Sequence, residues 1–414
     1  MSNTIPEGWS TQALDGKIHI LSGFPFQSSL FCDDSARMGV IRIRDLVKQS
    51  IETFYAGDFE DVYVVKKGDI LIGMDGDFTI VKWNAKDALL NQRVCKVKAE
   101  PGSGFDTNFL FYSLADDLIS INAATGATTV KHLSVKDIRG IEKVYPPLPE
   151  QQKIATILSS VDDVIEKTRA QIDKLKDLKT GMMQELLTKG VGHTEFKDSP
   201  VGRIPVSWDV LYLEELVKAE KNITYGIVQA GAHHDGGVPY IRVSDMTKRA
   251  LSRNGMLLTS PEIAEKYQRS AVSCGDIVYA LRGVIGHVLV VPKELDGANL
   301  TQGTARISPN DKVDSGYLLW AMKSPYVNEQ NDLAAKGSTF REVTLASLRK
   351  IQVALPELSE QKKIASIFDS VELNIFSIED KLAHLKSIKK ALMQDLLTGK
   401  VRVKLTDLDT EAAS

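Results

Sequence analysis

The chain is short of cysteine and has no long apolar run. Its 414 residues include three cysteines, Cys32, Cys95 and Cys274, which lie far apart and lack the C-x-x-C spacing of a zinc site. An odd number of scattered cysteines argues against a disulfide framework and favours a reducing cytoplasm. The first twenty residues contain two acidic side chains and no apolar core, so we expect no signal peptide. No later stretch approaches the length of a membrane span.

The sequence also lacks an excess of charge of one sign. Lysine and arginine number 51, and aspartate and glutamate number 54, which gives a formal net charge of −3. Free-standing DNA-binding proteins are usually basic, so bulk charge does not point to nucleic acid. Any affinity for nucleic acid must therefore come from local patches or from partner subunits.

The motifs of several enzyme classes are missing as well. A phosphate-binding loop needs GxxxxGK[ST], but the GK pair at 399–400 has Gln394 in place of the first glycine. The double proline of VYPPLP at 144–149 lacks the polar residue before it and the aromatic residue after it that an adenine methyltransferase requires. His233 and His234 look like metal ligands, but neighbouring residues of an extended chain point apart. We expect a non-catalytic chain without a metal.

What the sequence does contain is an internal repeat. Residues 148–188 align with 358–398 at a constant offset of 210, with 18 identities in 41 positions. In both segments, steps of three and four residues follow a nearly unbroken apolar stripe. Prolines stand just before both starts and glycines just after both ends, so each segment is predicted to form one helix. At about 1.5 Å per residue, such a helix reaches roughly 58 Å.

A long helix with a narrow apolar stripe needs a partner helix, and each segment can supply the other's. Because domain termini commonly lie close together, the end of the first helix and the start of the second should meet at the middle domain. The helices are therefore predicted to run antiparallel. The predicted division is a first globular domain at 1–148, a helix at 149–190, a linker at 191–203, a second domain at 204–357, a helix at 358–400 and a tail at 401–414.

The two globular domains contain matching sequence segments in the same order. IPEGW at 5–9 matches IPVSW at 204–208, and VIRIRDL at 40–46 matches YIRVSDM at 240–246. Short β-rich runs bounded by Gly, Asp and Asn, with helical stretches between them, predict a mixed α/β domain in each half. The predicted fold class is α/β, with two mixed α/β domains separated by two long antiparallel helices that form a coiled coil, in a pseudo-two-fold internal repeat.

This ordered set of sequence motifs resembles that of the specificity subunits of type I restriction-modification systems. The motifs are IP-x-x-W at the start of each half, Gly-Asp-Ile turns at 68–70 and 275–277, and PPLPEQQKIA at 146–155 with its repeat equivalent LPELSEQKKIA at 355–365. The resemblance spans nearly the whole chain. It implies two target-recognition domains, each binding one half of a split, asymmetric DNA sequence, with the helices fixing the gap between the halves.

The resemblance also implies partners. Two methyltransferase subunits would dock along the helices, and motor-nuclease restriction subunits would join them for cleavage. The chain itself would carry no cofactor, and S-adenosylmethionine, ATP and magnesium are expected on the partner subunits. Phosphate contacts from the methyltransferase subunits would supply what a nearly neutral chain lacks.

The candidate DNA contacts are polar side chains on loops next to strand-like runs, since Arg and Lys can read guanine and Asn and Gln can read adenine. The turn ALRGVIG at 280–286 offers Arg282 to phosphate or guanine. The corresponding GMDGD at 73–77 carries Asp75 and Asp77, which disfavours phosphate contact. One of these carboxylates is predicted to accept from a cytosine amine; the alternative is a solvated acidic turn.

Three arginines, Arg42, Arg44 and Arg242, are predicted to point outward from strands, whereas Trp9 and Trp208 are predicted to anchor the cores. For the loop residues, the alternative is an ordinary polar surface. The full set of predicted DNA-binding residues is Gln27, Arg42, Arg44, Asp75, Asp77, Asn91, Gln92, Lys131, His132, Tyr225, Gln229, Arg242, Arg282, Gln302, Thr339 and Arg341.

Two rival functions stay open on the sequence alone. The chain could be the recognition portion of a fused restriction-methylation enzyme, although the first domain follows Met1 at once, or a coiled-coil adaptor with no DNA role. Co-purification would separate the three functions. A methyltransferase partner supports the specificity subunit, methylation by the isolated chain supports the fused enzyme, and absence of DNA binding even with partners supports the adaptor.

Overall fold

The structure is a computed structural model that describes residues 5–126, 131–335 and 342–405. The chain divides into two compact units. Unit 1 contains the described residues of 1–169 and 381–405, and unit 2 contains those of 170–380. Each unit holds one globular domain and part of each long helix.

The globular domain of unit 1 is a mixed α/β domain. Its strands are β1 Ser10–Ala13, β2 Ile18–Ser22, β3 Phe31–Cys32, β4 Met38–Ile41, β5 Phe54–Tyr55, β6 Val64–Val65, β7 Ile70–Gly73, β8 Ile80–Lys82, β9 Ala88–Leu90, β10 Val94–Ala99 and β11 Glu142–Tyr145. Its helices are α1 Ile43–Lys48, α2 Thr107–Ala124 and α3 Val135–Arg139, and the long helix α4 Leu148–Leu186 begins in this unit.

Unit 2 repeats this plan. Its strands are β12 Phe196–Ser199, β13 Gly202–Pro205, β14 Asp209–Tyr212, β15 Thr224–Tyr225, β16 Val238–Ile241, β17 Leu258–Thr259, β18 Ile277–Ala280, β19 Val288–Val290, β20 Asn299–Leu300, β21 Thr304–Ile307 and β22 Gln352–Leu355. Its helices are α5 Pro261–Lys266, α6 Ser315–Met322, α7 Pro325–Ala334 and α8 Leu345–Arg349, and the long helix α9 Leu358–Leu397 begins here.

The same sheets recur in both units, which confirms the predicted repeat. A four-stranded antiparallel sheet is ordered β2-β10-β7-β8 in unit 1 and β15-β21-β18-β19 in unit 2. A parallel pair is β4 with β9 in one unit and β16 with β20 in the other. The first strand of each domain pairs with its last, as β1 with β11 and β14 with β22. Unit 2 adds a hairpin, β12 with β13, that crosses the predicted boundary between linker and second domain.

The two repeated segments each form one long helix, as predicted. Within unit 2 the helices run antiparallel, because Lys176 pairs with Glu379 at 2.7 Å while Lys179, further along α4, pairs with Glu372 at 2.8 Å, earlier in α9. Most of the predicted stripe is buried or half-buried. The exceptions are Leu178 and its repeat equivalent, which remain more than half exposed.

In each unit an aromatic side chain of the globular domain packs against a lysine of one long helix, and this lysine pairs with an acid of the other long helix. In unit 1 the Tyr112 hydroxyl donates to Asp162 at 2.8 Å, and Lys389 pairs with Asp162 while lying over the Tyr112 ring. In unit 2 Lys179 lies over the Trp320 ring and pairs with Glu372. An aromatic ring, a carboxylate and a lysine therefore meet in both units, although the aromatic residue and the acid differ.

A glutamate near the start of each long helix, Glu150 or Glu360, accepts a hydrogen bond from the tryptophan near the start of each domain. Trp9 is buried, and its indole N–H donates to Glu150 Oε2 at 3.0 Å, while Arg402 donates two hydrogen bonds of 2.7 Å to the same carboxylate. Trp208 donates equally to Glu360 at 3.1 Å. Both tryptophans are thus core anchors, as predicted.

The neighbouring glutamine satisfies backbone groups that would otherwise be buried without partners. Gln151 accepts from the Asp106 N–H at 3.0 Å and donates to the carbonyl oxygens of Gly104 and Pro146. Gln361 makes the equivalent contacts, accepting from the Asp314 N–H at 2.7 Å. Each long helix is therefore hydrogen-bonded to a loop of its own domain, α4 to the loop before α2 and α9 to the loop before α6.

The strand prediction for the three arginines is wrong. Strands β4 and β16 end at Ile41 and Ile241, and helical turns begin at once. The cause is a buried aspartate, because Asp45 accepts from the Arg42 N–H at 2.8 Å and Asp245 accepts from the Arg242 N–H at 2.9 Å. A carboxylate three residues into a turn caps its start and competes with the extended chain.

No helix in the described part of the chain is long and apolar enough to cross a membrane. The three cysteines are unpaired thiols, of which Cys95 is buried and Cys274 exposed. Burial raises the pKa of the Cys95 thiol to about 12.

Candidate DNA interface

The predicted turns extend strands β7 and β18 beyond their last paired residue. In unit 1 the Met74 N–H donates to the Arg93 carbonyl at 2.9 Å, and the Leu133 N–H donates to the Met74 carbonyl at 2.7 Å. In unit 2 the Leu281 N–H donates to Gly303 and the Val343 N–H donates to Leu281, both at 2.9 Å. The backbone therefore has the same shape at both places.

Three side chains meet at this extension in unit 1, which we call the β7 edge: Asp75, Arg93 and His132. Asp75 Oδ1 lies 2.7 Å from His132 Nδ1, and Asp75 Oδ2 lies 3.3 Å from Arg93 Nη1. The carboxylate is only 19% exposed, whereas both basic side chains are more than half exposed. Asp75 therefore holds two basic groups toward solvent.

That one of the two carboxylates accepts from a cytosine amine stays a prediction, and the geometry of Asp75 disfavours it there. Both of its oxygens already have partners, and a base edge would have to displace one of them. Asp77 is exposed on the same turn. The basic side chains, not the carboxylate, are what the β7 edge presents, and Arg93 was absent from the predicted set although it follows Gln92 directly.

The equivalent place in unit 2, the β18 edge, consists of Arg282, Gly303 and Glu342. Arg282 and Glu342 form an isolated backbone bridge, as Asp75 and His132 do. Gly303 stands at the position of Arg93, and a Cβ there would lie 2.9 Å from Arg282 Nε. The absence of a side chain lets the arginine lie across the sheet. The charges are thus inverted, with an acid in the turn of unit 1 and a base in that of unit 2.

Short capped helices follow His132 and Glu342, which form the backbone bridges to Asp75 and Arg282, and fix the loops that carry them. Ser134 Oγ accepts from the Asp137 N–H at 3.1 Å, and Asp137 accepts from the Ser134 N–H at 2.8 Å, which closes the start of α3 just after His132. The hydrogen bonds from Ser134 hold the pKa of Asp137 below its usual value. In unit 2 Thr344 Oγ1 accepts from the Ser347 N–H at 3.1 Å.

Glutamines lie beside both edges. The Gln92 N–H donates to Phe24 O at 3.1 Å and to Asn91 Oδ1 at 3.0 Å, and its side chain is exposed. The Gln302 N–H donates to Ile227 O at 2.9 Å, and its side chain is half-buried. Asn91 therefore shapes the turn, and the two glutamines lie next to the edges.

Six of the other predicted residues fall into three groups. Gln27 and Gln229 are exposed on loops, and Tyr225 is half-buried in β15. Arg44 is exposed with its nearest carboxylates at 3.6 and 3.7 Å. Thr339 and Arg341 lie outside the described residues.

Three of the predicted cations are held by the protein itself. Lys131 donates to the Asn122 carbonyl at 2.6 Å and to its side-chain oxygen at 3.0 Å. Arg242 forms a two-bond pair with Asp245 at 2.8 and 3.0 Å, which raises the pKa of the guanidinium. Arg42 lies over the Phe31 ring at 5.3 Å. These contacts assign them structural roles first.

No cluster of three or more His, Cys, Asp and Glu side chains that could hold a metal ion occurs among the described residues.

Comparison with known proteins gives consistent matches. A family profile described as "Type I restriction modification DNA specificity domain" matches residues 6–177 and 205–387. The EcoBI specificity subunit of Escherichia coli is 30% identical over 97% of this chain and 87% of the relative. The MjaVIII specificity subunit of Methanocaldococcus jannaschii is also 30% identical, over 82% of this chain and 81% of the relative.

Solved structures share the fold. The S subunit of a type I restriction-modification system from M. genitalium superposes with a TM-score of 0.61 at 16% identity, covering 98% of both chains. A chain from a study of the assembly and conformational transition of the type I system superposes with a TM-score of 0.54 at 16% identity, covering 96% of this chain and all of that one.

Proposed function

The chain belongs to the type I restriction-modification DNA specificity family, and from this premise we propose that it reads a split, asymmetric DNA sequence, one half with each unit. The observation that carries the proposal is the different set of side chains on a shared backbone, with Arg93 and His132 held by Asp75 at the β7 edge and Arg282 beside Gly303 at the β18 edge. Two identical domains would favour related half-sites, whereas different side chains at the two edges favour different ones.

Base recognition is assigned to the edges. Arginine donates two hydrogen bonds to guanine O6 and N7, and glutamine pairs with adenine. Arg93 and Gln92 in unit 1, and Arg282 and Gln302 in unit 2, are suited to such contacts. Asp75 would act as a positioning residue that orients Arg93 and His132.

Catalysis would belong to partner subunits. We expect two methyltransferase subunits and, for cleavage, motor-nuclease subunits, which would hold S-adenosylmethionine, ATP and magnesium in the cytoplasm. Support comes from the names of the relatives and from a neighbour that was studied as part of an assembled system. The net charge of −3 adds to this argument, because phosphate contacts dominate DNA affinity.

The test is to map methylated adenines in DNA from cells that express the chain with its methyltransferase partner. The expected motif is split into two unlike halves. Arg282→Gln should weaken the preference for guanine in one half by about ten- to a hundred-fold, since a two-bond contact contributes about 1–3 kcal/mol of discrimination. Lys293→Gln, an exposed change in the same unit, is the matched control. A continuous motif, or Arg282→Gln altering both halves equally, would contradict the proposal.

A further inference from the structure

The turns after β7 and β18 differ at one position that opens a cavity in unit 2. Each turn closes with the same hydrogen bond, from the Gly73 N–H to Thr79 O and from the Ala280 N–H to His287 O, both at 2.9 Å. The residues just before the closing carbonyls are Phe78 and Gly286. Both adopt positive φ, 51° and 80°.

In unit 1 the phenylalanine fills the space beneath the turn. Phe78 is 1% exposed and belongs to the same apolar core as Leu114 and Leu118 of α2. A left-handed backbone costs an ordinary residue roughly 1–2 kcal/mol, so burial of the ring must offset that cost. The filled space is part of the fold of unit 1.

In unit 2 the glycine leaves a cavity of about 600 Å³ between the turn and helices α6 and α7. Its lining includes Gly286, His287, Lys323, Asn328 and Asn331. A Cβ on Gly286 would lie 2.8 Å from Asn331 Nδ2, so the glycine also makes room for this amide.

One buried polar group of the cavity lining is a donor without an acceptor. Asn331 is 3% exposed, and its Oδ1 accepts from the Tyr279 hydroxyl at 2.8 Å, which turns the amide nitrogen away from Tyr279. Nδ2 has no hydrogen-bond partner among the described residues. Leaving a buried donor unsatisfied costs about 1–3 kcal/mol, so the site is suited to an acceptor supplied from outside.

The charged lining favours an anionic acceptor. The Lys323 ammonium lies 4.6 Å from the centre of the Trp320 ring, and its neighbour Glu372 is already paired with Lys179. Burial lowers the pKa of Lys323, and burial together with Lys323 lowers the pKa of His287. The other nearby carboxylate, Asp369, accepts from the Trp320 indole N–H at 2.8 Å. A half-buried ammonium whose nearby carboxylates are engaged elsewhere is stabilised by a counter-charge. Asp332, the acidic group of the lining, has interactions of its own.

We propose that this cavity binds an oxyanion of the phosphate class, with Asn331 Nδ2 and the Lys323 ammonium as its donors. The anion would sit directly beneath the turn that carries Arg282. Its source is either free phosphate or a phosphate of the DNA backbone, and the second source alone rests on the proposed function.

The first experiment uses the full chain without DNA. Inorganic phosphate is titrated at constant ionic strength, with chloride as the compensating anion, and binding is followed by calorimetry and by Trp320 fluorescence. Saturable binding is expected. Lys323→Met and Asn331→Asp should each weaken it at least about ten-fold, since each removes a hydrogen bond to a charged group.

The controls separate binding from folding. Asn331→Asp keeps the size of the side chain and an acceptor for the Tyr279 hydroxyl, and circular dichroism checks that both variants fold. Lys293→Met, an exposed lysine of the same unit, should bind phosphate as the unmodified chain does. Absence of saturable binding, or equal binding by all variants, would overturn the proposal.

The second experiment identifies the source, using the complex with its methyltransferase partner. If the anion is a DNA phosphate, inorganic phosphate should compete with duplex binding, and Lys323→Met should abolish that competition. If it is free phosphate, duplex affinity should respond to phosphate only as it does to chloride. Either result retains the site, which the titration without DNA tests independently.

Discussion

The hydrogen bond from Trp9 to Glu150, which we call the tether, offers the sharpest test of how each domain is attached to its long helix. Glu150 is 3% exposed and accepts from the Trp9 indole and from two nitrogens of Arg402. Replacing Glu150 by leucine leaves the buried indole N–H without an acceptor, at a cost of about 1–3 kcal/mol. Loss of the partly exposed arginine pair adds up to about 1 kcal/mol.

A total of about 3 kcal/mol corresponds to a fall in Tm of roughly 6–12 °C for a unit of this size. Glu150→Gln should cost less, about 1 kcal/mol, because its amide oxygen can still accept from Trp9. The measurement is differential scanning calorimetry, with hydrogen exchange to locate the loss of protection in unit 1. Glu166→Leu, an exposed change on the same helix, is the control and should alter Tm little.

The ranking of the two variants is what decides the matter. If the tether acts through the indole hydrogen bond, leucine must be clearly worse than glutamine. Equal losses would show that the charge on Glu150 dominates, and no loss in either variant would refute the tether altogether.

Three further predictions follow from the other contacts. Gly303→Val should displace Arg282 and press on Val243, because a Cβ at this position would lie 2.9 Å from Arg282 Nε and from Val243 Cγ2; methylation mapping should show a relaxed half-site, and Tm should fall because overpacking costs about 1–3 kcal/mol. In the folded chain, Cys274 should react with a thiol reagent within minutes while Cys95 reacts only on unfolding, since burial raises the pKa of Cys95 to about 12; rapid labelling of both would contradict this. Lys323→Met should keep or raise Tm, because burial lowers the pKa of Lys323 and a neutral side chain avoids that desolvation; a marked fall in Tm by circular dichroism would count against it.

Much of the architecture was predictable because its determinants are local. The apolar stripe and the flanking prolines and glycines predicted helices at 149–190 and 358–400, and the structure places them at Leu148–Leu186 and Leu358–Leu397. The ends differ by a few residues, where capping contacts rather than apolar periodicity decide. The role of Glu150 was not predictable, since its partners lie 141 and 252 residues away.

The errors at the candidate interface have a related cause. Alternating apolar residues around Arg42 favoured a strand, but Asp45 caps a helical turn through a backbone hydrogen bond that periodicity does not reveal. Asp75 looked available because its partner His132 is 57 residues away. Contacts between distant segments, which sequence patterns do not encode, determine whether a polar side chain is engaged.

The repeat separates what the fold requires from what recognition can vary. The pairs of Trp9 with Glu150 and of Trp208 with Glu360 use identical residue types, because a buried indole N–H needs an acceptor. At the edges the bridging backbone is the same, but Arg93, His132 and Arg282 reach solvent, where a change of side chain costs the fold little. Different side chains are therefore tolerated by the fold at the place that a binding partner would contact. A surface that varies on an unvarying backbone is suited to reading two different half-sites, and this argument holds whichever bases the two edges prefer.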